Sequence, residues 1–490
     1  ASHPYYTIPQ NHVFAQNKDF SKVLVFSAWE MVPRMLAVML SYESERRNVV
    51  GAYKDDGITY ITKRKVGMNR MQEEGGNLLE YPSVYLADLY DYREYFGQNI
   101  DSIINDLQNK IQADINKFGL PILNITSADI LLLLIKRLEG EDLEMRGIPQ
   151  RAARTLAFMA IASPAVCMLR ILKNSEEPEN ADAYYETTNA KDVAESIVAL
   201  FNRRENSAAV ELSTPKGLKY YEQVLHYCVM GNLQSVLDEY CHMIDEGKHA
   251  EYIVDKLNAT FISATSYQIE TTDSYCKEEG KSMPMRRSFA FDYAKVVQDK
   301  NIKHNGTLQQ AFNSPFRPFV LATTSIGQEG LDFHWYTRKI VHWNLPSNPV
   351  DMEQREGRIN RYKCLAIRRN IARFFGGKYS WEEMFTEADK QWRILSPSEY
   401  SEMVPYWCLP KEIIEEHVNE LEYIERLVPL YPMSNDEIRY KHLIDVLSLY
   451  RLTMGQPRQE ELLQLLKGKV TKEQMKELLF DLSPYSRNTK

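Results

Sequence analysis

The chain has 490 residues, of which 44% are hydrophobic and 26% charged, and its formal net charge is −8. This is an ordinary composition for a soluble globular protein, with length for roughly three domains. The negative balance argues against a protein that coats nucleic acid through bulk charge, although a local basic groove on an acidic body is compatible with it.

The longest aliphatic stretch, Ile130 to Ile135, is far too short to cross a bilayer and reads as a buried helix segment. No signal peptide opens the chain, and the first residues, Ala-Ser-His-Pro, lack an initiator Met, as expected of a fragment or a processed form. The six cysteines, at 167, 228, 241, 276, 364 and 408, form no CxxC and no Cys/His cluster with zinc spacing. The expectation is therefore no metal site, free thiols and a cytoplasmic protein.

In chain order, Lys22 to Ser27 (KVLVFS) is a short apolar run that predicts a buried parallel strand, and Trp29 to Tyr42 follows with helical periodicity. From about Asn48 to Met283 the pattern is helical. Thr126-Ser127 can cap a helix through Ile130–Leu138 that Gly140 stops, and Pro164 divides the apolar run Ala152–Leu172 into two helices. Thr214-Pro215 reads as a cap-then-Pro start, and Gly231-Asn232 closes one helix and opens another. Asn174 to Asp182 reads as an acidic surface loop. The α/β pattern then returns: Arg287–Tyr293 alternates like a strand, Thr307–Phe312 predicts a short helix, and PFVLAT (318–323) and KIVHW (339–343) predict buried strands. A helix is expected from Asn348-Pro349, and from Trp381 onward the pattern is helical again.

Two segments carry chemistry. In Gln354-Arg355-Glu356-Gly357-Arg358-Ile359-Asn360-Arg361, Arg358 and Arg361 share a helix face or an adjoining turn, and Gly357 permits a close approach. Guanidinium groups held on a rigid element suit phosphate oxygens. Without other context, such an Arg-rich stretch is by default a solvated basic helix. Upstream, Thr323-Thr324-Ser325-Ile326-Gly327-Gln328-Glu329-Gly330-Leu331-Asp332 follows a buried strand directly, where α/β sheets bind ligands. Read alone, Gly330 is as well a turn and Asp332 a helix cap.

Together these segments resemble the second RecA-like lobe of helicase superfamily 2. Lys22–Glu30 is similar to motif IV, Thr323–Asp332 to motif V, and Gln354–Arg361 to the QxxGRxxR pattern of motif VI. The Swi/Snf-like and DEAH-like branches are nearest. SPFRPFVLATTSIGQEGLDF followed by NLPSNPVDMEQREGR resembles large bacterial helicase-related proteins, some tied to phage defence.

The resemblance implies an α/β, RecA-like parallel sheet at 21–48 and 285–375, preceded by a linker at 1–20. A large all-helical insertion at 49–284 would interrupt the lobe, and a helical C-terminal region at 376–490 would follow it. It implies arginine fingers at Arg358 and Arg361, a nucleotide-facing set of Gly330, Asp332, Gln354 and Gly357, and nucleic-acid contacts at Ser27, Thr324 and Ser325. Arg368 and Arg369 would extend that track as a basic face, or else be a solvated helix face.

The expected ligands are ATP with Mg²⁺, and the expected partners are nucleic acid, DNA foremost, an N-terminal RecA-like lobe, and proteins meeting the insertion. No membrane role is expected. The chain has no GxxxxGK[ST] loop and no DExx box after a buried strand, so this segment alone is expected to be catalytically silent. The alternative is a non-catalytic RecA-like scaffold.

Overall fold

The computed structural model describes residues 3–53, 71, 74–125, 127–175, 183–244, 250–261, 265–269, 276, 282–293, 307–324, 331–395, 400–452, 459–466, 469–471 and 474. The strands are β1 Lys22–Phe26, β2 Ile122–Leu123, β3 Ile148–Pro149, β4 Thr265–Ile269, β5 Met283–Arg287, β6 Ala290–Tyr293, β7 Val320–Thr323, β8 Thr337–His342 and β9 Glu425–Leu427.

Five of them form one sheet in the order β6-β7-β1-β8-β9, and every pairing is parallel. β1 is the central strand, although more than two hundred residues separate it from β6 in sequence. This is a RecA-like α/β fold, and strand 22–27 joins the same sheet as strands 318–323 and 339–343, as expected.

The sheet is buried on both faces because its strands are apolar at consecutive positions. Side chains alternate across a strand. Leu24 and Phe26 therefore join Phe291, Leu321, Phe333, Ile340 and Ile359 in one core, while Val25 joins Ala290, Val320 and Ala322 in the other. The helix Met31–Tyr53 packs over the second face against β6 and β7. Lys22, 2% exposed, turns inward and donates to the carbonyls of Ala311 (3.1 Å) and Phe316 (2.5 Å). It thereby ties the first residue of β1 to the segment leading into β7.

A second, helical core takes its residues from the N-terminus and from about 71 to 257. The helix Ile100–Asn116 buries Ile100, Ile103, Ile104, Leu107, Ile111 and Ile115, the three-four spacing of one face. Pro164 opens the second of the two helices Ala152–Ala162 and Pro164–Ser175, as its missing N–H allows. Both are buried in this core. Among the described residues, no single helix is long and apolar enough to cross a membrane. Gly231 caps Tyr220–Met230, and Asn232 follows at φ 53 before Leu233–Ile244 begins.

Four expectations are corrected. The segment 49–284 is not all helical: β2 pairs β3, and β4 pairs β5 as an antiparallel hairpin. The C-terminal region 376–490 is not outside the lobe, because β9 extends the main sheet at its edge. Thr214 ends the helix Arg204–Ser213, with its hydroxyl donating to Val210 O, and the next helix starts at Tyr220.

Residues 3–8 are not a free linker. Tyr5 is 1% exposed, stacks on Tyr92 at 4.2 Å, and donates its hydroxyl to Asp238 Oδ2 at 2.6 Å. Tyr6 donates to Val229 O at 2.6 Å. Two aromatic rings with satisfied hydroxyls make this segment part of the helical core. Thr126 and residues 176–182, assigned a cap and a loop above, lie outside the described residues.

Buried histidines give the fold a pH dependence. Burial lowers His242 and His334 to about 3 and His3 to about 4, from 6.5. A depressed imidazole is neutral in the folded chain and takes up its proton in the unfolded one. That stability is present above 6.5 and is lost as the pH falls toward the folded values. Asp238 acts oppositely: burial raises it from 3.8 to about 6, so its contribution grows as the pH falls through 6. Burial also lowers His226 and His342 and raises Glu80, so five imidazoles stand against two carboxyls and the melting temperature should be lower at pH 5 than at pH 7.5. His242→Gln keeps an acceptor for Lys363 and should lose less over that interval. A flat or rising profile in the parent chain would contradict the assignment.

Candidate nucleotide and nucleic-acid interface

Because β1, β7 and β8 are parallel, their C-terminal ends share one edge of the sheet, where α/β folds place ligands. Ser27 follows β1, Thr324 follows β7, and Trp343-Asn344 follow β8. Asn344 Oδ1 accepts from Ser27 Oγ (2.9 Å) and from Ala28 N (3.2 Å). Asn344 therefore closes the edge between two strand ends, a role the sequence did not signal.

The helix Pro349–Glu356 begins with Asn348 as N-cap, whose Oδ1 accepts from Val350 N (2.6 Å) and Asp351 N (3.3 Å), and Pro349 sits in its first turn. It ends at Glu356, so the motif spans a helix end and the turn after it, and Arg358 and Arg361 both lie in the turn. Buried Ile359, between them, inserts into the sheet core. Phe333 N donates to Arg358 O (2.9 Å) and Leu365 N to His334 O (3.1 Å), which lashes the segment after Asp332 to the arginine turn.

These bonds bring three charged groups together. Arg361 Nε forms an ion pair with Asp332 Oδ1 at 3.0 Å. Arg358 Nη1 reaches Leu331 O at only 3.5 Å, and its buried Nε has no hydrogen-bond partner among the described residues. Burial, then the charge of Arg361, lowers the Arg358 pKa, while Asp332 raises it. Among the described residues, two guanidinium groups stand beside one carboxylate, a surplus of positive charge that a phosphate would relieve.

Gly357 has ordinary helical φ (−58), and a Cβ there would meet only the carbonyls of Glu353 and Gln354, at 3.3 and 3.4 Å. Gln354 is exposed on the same helix, and Thr324 is half-buried at the end of β7. Ser325 and Gly330 lie outside the described residues.

Three residues assigned to nucleic acid are placed elsewhere. Arg368 is 0% exposed and pairs with buried Glu239, Nε to Oε1 at 3.0 Å, so it cannot reach a phosphate. Arg369 is held by Glu422 (2.7 Å) and by Phe20 O. Ser27 is 1% exposed, with its hydroxyl donated to Asn344, whereas its neighbour Trp29 is 61% exposed. The helix Leu365–Phe375 turns its basic residues partly inward because both flanks of it are packed.

The structure adds a network that the sequence reading missed. Glu356 takes His342 Nε2 at 3.2 Å and Arg426 Nη2 at 2.7 Å, and Arg426 Nη1 donates to Tyr440 at 3.3 Å. Burial opposes the charge on Glu356, but its bonds to His342 and Arg426 keep the carboxyl below its usual range. Beside this network lies a cleft of 410 Å³ lined by Glu353, Glu356, Gly357, Asn360, Ile424 and Arg426. A histidine at a strand end and a glutamate inside the arginine motif were the only signals for it; nothing in the sequence pointed to Arg426.

Residues 253–363 match the family model described as the helicase conserved C-terminal domain. The match takes in β4–β8, Asp332, Arg358 and Arg361. It supports a helicase C-terminal lobe of superfamily 1 or 2. No curated protein and no solved structure matches the chain.

Proposed function

We propose that this chain is the C-terminal half of an ATP-dependent nucleic-acid helicase or translocase, with Arg358 and Arg361 as its arginine fingers. The observation that carries the reading is the bonding of motif V to motif VI. It sets both guanidiniums beside Asp332, on the segment that leads from β7 into β8, and leaves Arg358 Nε unpaired among the described residues. The donor set fits the phosphates of ATP. Gln354 and Gly357 flank it, and Gly330 and Asp332 would lie toward the nucleotide's ribose.

Mg²⁺ has no comparable fit, since Asp332 is engaged by Arg361 and Glu356 by His342 and Arg426. Its ligands belong with a phosphate loop, which this chain lacks and an upstream lobe would supply. In the transition state, charge spreads over the transferred phosphoryl group, and guanidiniums placed there lower that state more than the ground state. Thr324 and Ser325, with exposed Trp29, would border the nucleic-acid track. DNA as the substrate, a Swi/Snf-like or DEAH-like affiliation and a role in phage defence are finer readings that rest on sequence resemblance, and a cytoplasmic setting rests on the scattered cysteines.

The test is steady-state ATP hydrolysis with and without DNA or RNA. Residues 1–490 alone should be silent, and the complete protein with its upstream lobe should turn over and be stimulated. Hydrolysis by the isolated chain would overturn the half-motor reading. A complete protein that binds nucleic acid without stimulated hydrolysis would leave it a scaffold.

A further inference from the structure

The helical core and the turn bearing the two arginines are joined by a charged pair that solvent does not reach. Arg368 lies in the first turn of Leu365–Phe375, and Glu239 lies on Leu233–Ile244 in the helical core; they are 0% and 1% exposed. Arg368 Nε meets Glu239 Oε1 at 3.0 Å, Nη1 donates to Lys363 O at 2.8 Å, and Nη2 donates to Trp335 O. The ring of Tyr336 lies 5.2 Å from the guanidinium. One planar cation thus fixes the helical core, the segment that runs from Asp332 into β8, and the end of the arginine turn.

A second link runs parallel to it. Lys363 Nζ lies 3.3 Å from Nε2 of His242, one helical turn beyond Glu239. Between these anchors and the buried Ile359 stands Arg361, whose carbonyl accepts from Cys364 N at 3.0 Å.

We propose that Glu239 is a positioning residue for Arg358 and Arg361: through Arg368 it makes the helical core part of the frame that sets where the two guanidiniums stand. This rests on the function proposed above. A buried ion pair needed only for stability can be exchanged for apolar residues without loss. Here the same guanidinium also holds two backbone carbonyls, and an apolar pair cannot hold them.

The experiment compares Glu239→Gln with the apolar double variant Glu239→Leu/Arg368→Met. The first readout is amide hydrogen exchange in the 490-residue chain. Residues Ile359–Cys364 should exchange about tenfold faster or more in both variants, while the helix Ile100–Asn116 keeps its protection. The second readout is hydrolysis by the complete protein. There kcat should fall by about tenfold or more with KM for ATP little changed, even though the double variant melts like the parent.

Parent-like exchange in the turn overturns the proposal. So does turnover that recovers with the melting temperature in the double variant, and so does loss of protection in Ile100–Asn116 along with the turn, which would make the pair structural only. A complete parent protein without ATP hydrolysis, in which the turn still loosens, defeats the proposed function and leaves the positioning standing.

Discussion

In the complete protein, Arg361→Lys and Arg358→Ala should each cut steady-state ATP hydrolysis by about a thousandfold or more, the contribution of an arginine finger. Lysine keeps the charge at 361 but loses the planar fork that grips two phosphate oxygens at once. Folding should be nearly unaffected. The Arg361–Asp332 pair is 38% and 47% exposed at its two side chains, where such pairs contribute about 0–1 kcal/mol. Arg358 reaches only a 3.5 Å carbonyl, so truncating it orphans little. Nucleotide affinity should fall far less than turnover, because the fingers act on charge that develops in the transition state. The measurement is hydrolysis at saturating nucleic acid, paired with a thermal melt. Parent rates in both variants would end the finger assignment, and collapsed melts would make these arginines structural.

Tyr5→Ala should destabilise the helical core by about 3–5 kcal/mol, the cost of emptying a large aromatic site. The ring is fully buried against Tyr92, and its hydroxyl supplies a hydrogen bond to the partly buried carboxyl of Asp238. Tyr5→Phe keeps the stack and removes that bond alone, so it should cost roughly 1–3 kcal/mol. Chemical denaturation followed through the helical signal checks both. A variant at position 5 as stable as the parent would restore the picture of residues 1–20 as a loose tether.

The lobe was legible in the sequence where its signals are local. KVLVF, PFVLAT and KIVHW are apolar at consecutive positions because parallel strands are covered on both faces, and each proved to be a strand of the sheet. Asn348-Pro349 marked a helix start through capping chemistry that needs only four residues. The pair Arg358/Arg361 and its partner Asp332 were named from spacing and from position after a strand, and they do lie together.

Other features escaped because their cause is long-range. The sequence of Arg368-Arg369 reads as a basic face; burial against Glu239, 129 residues away, reverses that meaning. β9 is three residues of mixed character, recognisable as a strand only beside β8. The N-terminal Tyr5-Tyr6 carries no periodic pattern, and its burial depends on a slot formed by Tyr92, Val229, Asn232 and Asp238.

By itself, then, the sequence determined the three central strands β1, β7 and β8, the helical character of most of the long insertion, and the arginine motif, since period, capping and charge spacing are properties of neighbouring residues. Only the tertiary structure decided which arginines stand beside Asp332 and which are buried. A guanidinium's role is set by the carboxylates and carbonyls that surround it, and those come from parts of the chain far away in sequence.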